Sequence, residues 1–127
     1  MQALLLDTDF LIDFLRGHRQ AVAFLEEETR PLAVSALTIA ELHAGVRDGE
    51  EIEQLRELLS IFSHIPLDPE TAAEGGLLRR DFGPSHGTGL IDVILAATAV
   101  RHGLRLVTLN DRHYPMLPDV VVPYRKR

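Results

Sequence analysis

The chain has 127 residues, of which 46% are hydrophobic and 25% are charged, a composition that fits one ordinary globular domain and excludes a disordered or fibrous chain. Thirteen basic residues against 19 acidic ones give a formal net charge of −6, which argues against broad electrostatic adhesion to nucleic acid or to an anionic membrane. A nucleic-acid function must then depend on a local site. The chain has no cysteine, so disulfides and thiolate metal sites are excluded and a reducing, cytoplasmic environment suits it.

No segment has the pattern of a membrane span or of a signal peptide. The longest apolar run, residues 90–100, is interrupted by Asp92 and Thr98 and is shorter than the ~20 residues that a bilayer crossing requires. The first six residues contain no basic segment and no cleavage site, and acidic Asp7 follows them directly. We therefore expect no contact with a membrane.

Apolar runs of strand length alternate with amphipathic runs of helix length, a pattern typical of an α/β fold with a parallel sheet. In chain order we predict a strand at 4–6, helices at 9–16 and 19–28, a strand at 31–35, helices at 38–46 and 50–62, a strand at 64–67, helices at 68–81 and 90–102, and strands at 105–109 and 120–122. Asp68 and Pro69 have the N-cap and N1 pattern that begins a helix. Glycine and proline in residues 83–89 predict a loop that could shape or gate a site.

Four acidic residues interrupt or end apolar segments, namely Asp7, Glu41, Asp92 and Asp111. Each has an ordinary structural interpretation. Asp7 and Asp111 suit turns or N-caps, and Glu41 could complete a capping box with Thr38. Asp92 lies in the first turn of its helix, where the helix dipole would stabilise it by about 0.3–1 kcal/mol.

Taken together, the four carboxylates indicate a metal site. Ligands of parallel α/β sheets bind outside the carboxyl ends of the strands, which is where all four residues are expected. Carboxylates crowded into one crevice raise each other's pKa unless a cation is present. A set of oxygen ligands without cysteine favours Mg²⁺ or Mn²⁺, and such an ion could activate water for attack on a phosphodiester and attract a polyanion to an acidic protein.

Four segments in chain order carry a resemblance to a known family. Residues 4–13, 35–45, 92–104 and 106–114 resemble the four acidic motifs of PIN-domain ribonucleases, in particular the VapC toxins of type II toxin–antitoxin systems. The match extends over almost the whole chain. It implies one PIN domain over residues 1–127, a three-layer α/β fold with a central, mostly parallel sheet of about four to five strands flanked by helices.

The resemblance also implies a chemistry, that of a Mg²⁺-dependent endoribonuclease for which Mn²⁺ could substitute. Asp7 and Asp92 would be the principal metal ligands, and Glu41 and Asp111 would complete the acidic cluster directly or through water. Asp111 occupies the most variable of the four acidic positions, and Asn110 could substitute for it.

Supporting roles follow for three residues near these carboxylates. Thr8 or Thr38 could orient a ligand or a bound water molecule. Asp9 stands where these toxins often have asparagine, so it is either a fifth carboxylate at the rim of the site or a helix cap, and we favour the cap. His113 and Tyr114 are assigned to packing and turn structure, without a chemical role.

Basic residues are candidates for contacts with RNA phosphates, which position a substrate without reading its sequence. Arg112 is the best of them because it adjoins Asp111. The others are Arg79, Arg80 and residues 125–127. Solubility is an equally good explanation for each of them.

The partners implied by the resemblance are an RNA substrate (tRNA, rRNA or mRNA), a second copy of the chain in a homodimer, and a cognate VapB-like antitoxin. The antitoxin would lie over or near the acidic cleft, and one of its arginines could pair with the carboxylates, because a guanidinium matches a carboxylate in a bidentate geometry. A bacterial or archaeal cytoplasm is the implied location.

Two other functions compete with the nuclease. An aspartyl-phosphate enzyme of the haloacid-dehalogenase kind fits Asp7 and Asp9 superficially, but it needs a lysine after a later strand, and the only lysine is Lys126. A catalytically silent PIN-fold protein that binds RNA or a partner is the alternative that stays open.

Overall fold

The computed structural model of the chain describes residues 2–86 and 88–125. Its elements in chain order are β1 (Leu4–Leu6), α1 (Thr8–Leu15), α2 (Arg19–Glu27), β2 (Leu32–Ser35), α3 (Ala36–Ala44), α4 (Glu50–Leu59), β3 (Ser63–Ile65), α5 (Pro69–His86), α6 (Leu90–His102), β4 (Arg105–Val107) and a 3₁₀ turn (Asp111–His113). None of the helices in this part of the chain combines the length and hydrophobicity that a bilayer crossing needs.

The strands form one four-stranded sheet in the order β3-β2-β1-β4, and all three neighbouring pairs are parallel. The prediction of an α/β fold around a mostly parallel sheet is confirmed. The predicted strand at 120–122 is reduced to a single parallel bridge between Val121 and Val107. Pro123, which follows, has no N–H with which to extend a ladder.

The sheet lies between two layers of helices. Successive side chains of a strand point to opposite faces of the sheet, so each face packs against a different layer. Leu4 and Leu6 pack in one core cluster with residues of α1 and α4. Leu5, between them, packs in a second cluster with residues of α6. All three leucines are fully buried, as expected for a central strand covered on both faces.

The predicted loop at 83–89 is wrong for residues 83–86, which continue α5, and Gly87 lies outside the described residues. Helix α5 packs closely along α6: a Cβ atom placed on Gly75 would lie 2.7 Å from Cγ1 of Ile94. Such packing outweighs the cost of a glycine inside a helix, about 1 kcal/mol relative to alanine. A loop that gates the site is therefore not present at residues 83–86.

Two of the predicted helix starts can be compared directly with the structure. Asp68 accepts a hydrogen bond of 2.7 Å from the backbone N–H of Thr71, so the predicted cap of α5 is confirmed. Helix α3 begins at Ala36, and its N-cap is Ser35, which accepts a hydrogen bond from Leu37 N–H. The capping-box interpretation of Thr38 is therefore wrong, and Glu41 is available for another role.

Candidate active site

Asp7 is the central residue of the acidic crevice. It follows β1 directly and is the N-cap of α1, where its Oδ1 accepts a hydrogen bond of 2.8 Å from Thr8 N–H. Its Oδ2 accepts two more, from the hydroxyl groups of Thr108 at 2.7 Å and Tyr114 at 2.9 Å. The side chain is fixed by these bonds, and the residue is only 6% exposed.

Asp92 lies beside Asp7, although 85 positions later in the chain and in a different element. It is in the first turn of α6, and its Oδ1 is 3.1 Å from the Tyr114 hydroxyl oxygen that also contacts Asp7. Its Oδ2 is 3.2 Å from Nδ1 of His113. The structure therefore places these two predicted ligands around one tyrosine oxygen.

Glu41 reaches the crevice from α3. Its Oε1 accepts a hydrogen bond of 2.6 Å from the Thr8 hydroxyl, and that hydroxyl is also 3.1 Å from Oγ1 of Thr38. Both threonines are buried, whereas Glu41 is exposed at the mouth of the crevice. Thr8 thus connects the Asp7 end of the site to the Glu41 end.

Asp9 does not cap α1, because Asp7 does, and the cap interpretation of Asp9 is wrong. The Asp9 carboxylate instead accepts hydrogen bonds from the backbone N–H groups of Phe10 at 2.6 Å and Leu109 at 3.2 Å. It also lies 3.5 Å from the hydroxyl of Thr108. Asp9 therefore joins the start of α1 to the segment that follows β4.

The carboxyl groups of Asp7 and Asp9 have raised pKa values. Burial raises the pKa of Asp7, and the charge of Asp92 adds to this effect. Burial, reinforced by the charge of Asp7, raises the pKa of Asp9 to about 7. Raised pKa values mean that the ionised forms of these carboxyl groups lack compensating positive charge. A bound cation would supply that charge and lower both pKa values.

Asp111 has a different environment. Both of its oxygens accept hydrogen bonds from the Arg125 guanidinium, at 3.2 and 3.1 Å, and this pairing lowers the pKa of the carboxyl group. Nearby, Nδ2 of Asn110 lies 3.2 Å from the His113 ring, and Arg112 is exposed. In this arrangement Asp111 faces the C-terminal segment.

Two further basic candidates for phosphate contact, Arg79 and Arg80, lie on α5. Arg80 pairs with Asp81 on the exposed face of α5, and Arg79, on the same helix, is also exposed. Lys126 and Arg127 lie outside the described residues.

Sequence reasoning missed three residues that contact the principal carboxylates, namely Thr108, His113 and Tyr114. A signal existed for Thr108: β1 pairs in parallel with β4 with Leu6 opposite Val107, so the next residues, Asp7 and Thr108, emerge side by side. No comparable signal exists for Tyr114, whose ring is part of an apolar core cluster.

The donor set fits a hard divalent cation that keeps part of its water shell. Within residues 2–86 and 88–125, no three His, Asp or Glu side chains are arranged to enclose an ion by themselves. Asp7 and Asp92 are the pair that converges, and Mg²⁺ is commonly held by one or two carboxylates together with waters and substrate phosphates. The residues are therefore compatible with such an ion.

A groove of about 470 Å³ lies between α1, α3 and α4, with Glu41 at its edge. Apolar side chains on its wall include Ile12, Leu15, Leu42 and Val46. Leu15 is 39% exposed, so part of this apolar wall is open to solvent. The groove and the acidic crevice share Glu41.

Comparison with known proteins agrees with this architecture. The PIN-domain family profile matches residues 4–116. Ribonuclease VapC19 of Mycobacterium tuberculosis is 37% identical over 124 residues, covering 94% of this chain and 98% of that protein. Ribonuclease VapC10 of the same organism is 38% identical over 124 residues, covering 95% and 92%.

A solved structure gives the same result at the level of the fold. One chain of a toxin–antitoxin complex from Klebsiella pneumoniae superposes with a TM-score of 0.84 and 32% identity, covering 97% of this chain and 99% of that one. The similarity thus extends over the sheet, both helical layers and the segments that supply the acidic residues. The chain belongs to the PIN-domain family and, within it, to the VapC group.

Proposed function

We propose that this chain is the ribonuclease toxin of a toxin–antitoxin pair, and that it hydrolyses RNA phosphodiester bonds at a Mg²⁺ or Mn²⁺ site held by Asp7 and Asp92. One observation carries the proposal: the carboxylates of Asp7, directly after β1, and Asp92, in α6, converge on the single hydroxyl oxygen of Tyr114. Its wider support is the sequence similarity to proteins named ribonucleases over almost the whole chain.

A divalent cation would supply this site with Lewis acidity toward a phosphate and with an activated water molecule. The residues of the chain would hold and orient the groups involved. Asp7 is fixed by Thr8 N–H, Thr108 and Tyr114 and provides a buried negative charge. Glu41, held by the Thr8 hydroxyl and exposed to solvent, is suited to orient a water molecule at the open side of the crevice.

Asp111 and Arg112 would serve the substrate side of the site. Asp111, paired with Arg125, is one-third exposed in its side chain and would join the acidic cluster through water. Arg112 is exposed next to Asp111, so it could contact a phosphate of the substrate. Such contacts would position RNA without selecting its sequence.

The antitoxin is the partner that we propose for the apolar groove between α1, α3 and α4. The support is the exposed Leu15 in that groove and the structural similarity to one chain of a toxin–antitoxin complex. A segment bound there would end at Glu41, and an arginine on it could pair with the acidic crevice. The homodimer implied by the resemblance stays a prediction, which light scattering on the purified chain would test.

The test of the proposed function is cleavage of labelled tRNA, rRNA and mRNA pools by the antitoxin-free chain with Mg²⁺, with Mn²⁺ and with EDTA. Asp7→Asn and Asp92→Asn should abolish most cleavage while leaving the fold intact, because each removes one of two repelling charges. The matched control is Asp48→Asn, the same change at an exposed aspartate that makes none of the contacts described for Asp7, Glu41 and Asp92. It should cleave like the wild type.

Discrete, metal-dependent cutting that is lost in both site variants would support the nuclease. Cutting that survives EDTA or both substitutions would contradict the assigned site. Folded protein that cuts none of the pools but binds RNA would favour the catalytically silent alternative.

A further inference from the structure

Tyr114 has an unusual position, because its ring belongs to the core and its hydroxyl belongs to the acidic crevice. The residue is 2% exposed, and its ring packs in the cluster that contains Leu95 and Leu106. Its hydroxyl oxygen is 2.9 Å from Oδ2 of Asp7 and 3.1 Å from Oδ1 of Asp92. A ring locked by packing therefore presents one polar atom to two carboxylates.

The two aspartates depend on this hydroxyl to different degrees. Asp7 is buried and has two further donors, Thr8 N–H and the Thr108 hydroxyl. Asp92 has a side chain that is 25% exposed, and among the described residues its polar side-chain contact besides Tyr114 is His113, whose side chain is 40% exposed. Loss of the hydroxyl would therefore affect the placement of Asp92 more than that of Asp7.

The position of the tyrosine is itself fixed from both sides of the crevice. The backbone N–H of Tyr114 donates to the carbonyl of Asp111 at 3.0 Å, which closes the 3₁₀ turn. The buried hydroxyl of Thr88 donates to the carbonyl of His113 at 3.0 Å, which ties this turn to the segment that begins α6. Tyr114 is thus held relative to the 3₁₀ turn and to the segment that begins α6.

We propose that Tyr114 is a positioning residue, whose hydroxyl holds Asp92 at the separation and orientation from Asp7 that cation binding requires. This inference rests on the proposed function, since it concerns the same site. It adds a residue to which sequence reasoning assigned only a packing role.

Removal of the hydroxyl should weaken cation binding without unfolding the chain. Tyr114→Phe keeps the ring that packs against Leu95 and Leu106 and deletes only the oxygen between the carboxylates. Loss of a hydrogen-bonding partner of a metal ligand typically weakens metal affinity or activity by about 10- to 100-fold. We expect Mn²⁺ to bind Tyr114→Phe on the order of 10-fold more weakly than it binds the wild type.

Tyr124 provides a matched control. Its hydroxyl also donates to an aspartate at 2.9 Å, but the acceptor is Asp13, on α1. Its ring stacks on His18 with a centroid distance of 4.6 Å, outside the contacts of Asp7 and Asp92. Tyr124→Phe deletes the same atom and a hydrogen bond of the same length, so it reports what the loss of such a bond does to the fold alone.

The experiment is calorimetric titration of Mn²⁺ into the antitoxin-free wild type, Tyr114→Phe and Tyr124→Phe, with the Mn²⁺ electron paramagnetic resonance spectrum as a second readout. Circular dichroism and the thermal midpoint in EDTA establish that each variant is folded. We expect weaker binding and an altered Mn²⁺ spectrum for Tyr114→Phe alone, with wild-type affinity for Tyr124→Phe.

Equal or tighter Mn²⁺ binding by Tyr114→Phe would overturn the inference while leaving the proposed metal site in place. An equal loss in both variants would also overturn it, because the effect would then belong to the fold. A wild type that binds no Mn²⁺ would contradict the proposed function itself, and the inference with it.

Discussion

The Thr8 hydroxyl on α1 donates a hydrogen bond of 2.6 Å to Oε1 of Glu41 on α3. Thr8 is 9% exposed and adjoins Asp7 in the chain, whereas Glu41 is exposed. A buried donor thus orients a carboxylate that would otherwise sample several rotamers in solvent.

Substitution of Thr8 should separate the role of this hydroxyl from that of the side-chain volume. Thr8→Val keeps the shape but cannot donate to Glu41, and we expect RNA cleavage to fall about 10-fold, the lower end of the effect typical for partners of a site carboxylate. Thr8→Ser keeps the donor and should recover most of this loss. Initial cleavage rates at saturating Mg²⁺ measure both effects.

The matched change is Thr71→Val on α5, a buried threonine beside the Asp68 cap that takes no part in the Thr8–Glu41 pair. It should leave the rate unchanged. Equal rates for Thr8→Val and Thr8→Ser would show that the hydroxyl does not matter.

The stability of the metal-free chain should depend on pH through Asp9. Burial raises the pKa of Asp9 to about 7, well above its value of about 3.9 in an unfolded chain. Between these values the folded state keeps a proton that the unfolded state has lost, so the free energy of unfolding falls as pH rises through this window. The raised pKa of Asp7 acts in the same direction.

Urea unfolding in EDTA at pH 5 and at pH 7.5 tests this dependence. We expect the wild type to be less stable at pH 7.5 by on the order of a few kcal/mol, and Asp9→Asn to reduce the difference, because asparagine does not titrate. Wild-type stability that rises with pH, or an unchanged slope in Asp9→Asn, would rule out this origin.

Two adjacent glycines of α5 should respond oppositely to the same substitution. A Cβ atom on Gly75 would lie 2.7 Å from Cγ1 and 3.0 Å from Cα of Ile94, while one on Gly76 would meet nothing within 4 Å. Gly75→Ala should therefore destabilise the chain by about 1–3 kcal/mol through overpacking. Gly76→Ala should stabilise it by up to about 1 kcal/mol through helix propensity.

Thermal or urea unfolding of the two variants measures these changes side by side. A stabilising Gly75→Ala would mean that α5 and α6 can separate at little cost, contrary to the close approach at Ile94.

The antitoxin groove can be tested with a charge at Leu15. Leu15→Glu should weaken binding of the cognate antitoxin by at least about 10-fold, because it places a charged group on the apolar wall that the antitoxin would cover. The side chain is 39% exposed in the free chain, so the fold should tolerate the change. Surface plasmon resonance with the immobilised antitoxin measures the affinity.

Ile61→Glu is the control, since Ile61 is 69% exposed and does not line the groove. Its affinity for the antitoxin should equal that of the wild type. If Ile61→Glu weakened binding and Leu15→Glu did not, the antitoxin would bind elsewhere.

Local patterns in the sequence were sufficient for most of the elements and for the acidic residues. The strand at 4–6 and the helix at 90–102 have the observed bounds, because a short apolar run and a long apolar run between glycines are unambiguous signals. Asp7, Glu41 and Asp92 were recognisable because a carboxylate inside or directly after an apolar segment is costly unless it has a function or a partner. These features are encoded within a few neighbouring residues.

The contacts between elements were decided only by the tertiary structure. The helix through residues 83–86 depends on packing of α5 along α6, which cannot be predicted from the local pattern of glycine and proline. The place of Tyr114 between Asp7 and Asp92 depends on three segments far apart in the chain, and the pairing of Asp111 with Arg125 on two. The sequence by itself determined which residue types could form the site, whereas the fold decided which atoms touch, because hydrogen-bond geometry is set by the relative placement of elements and not by their local periodicity.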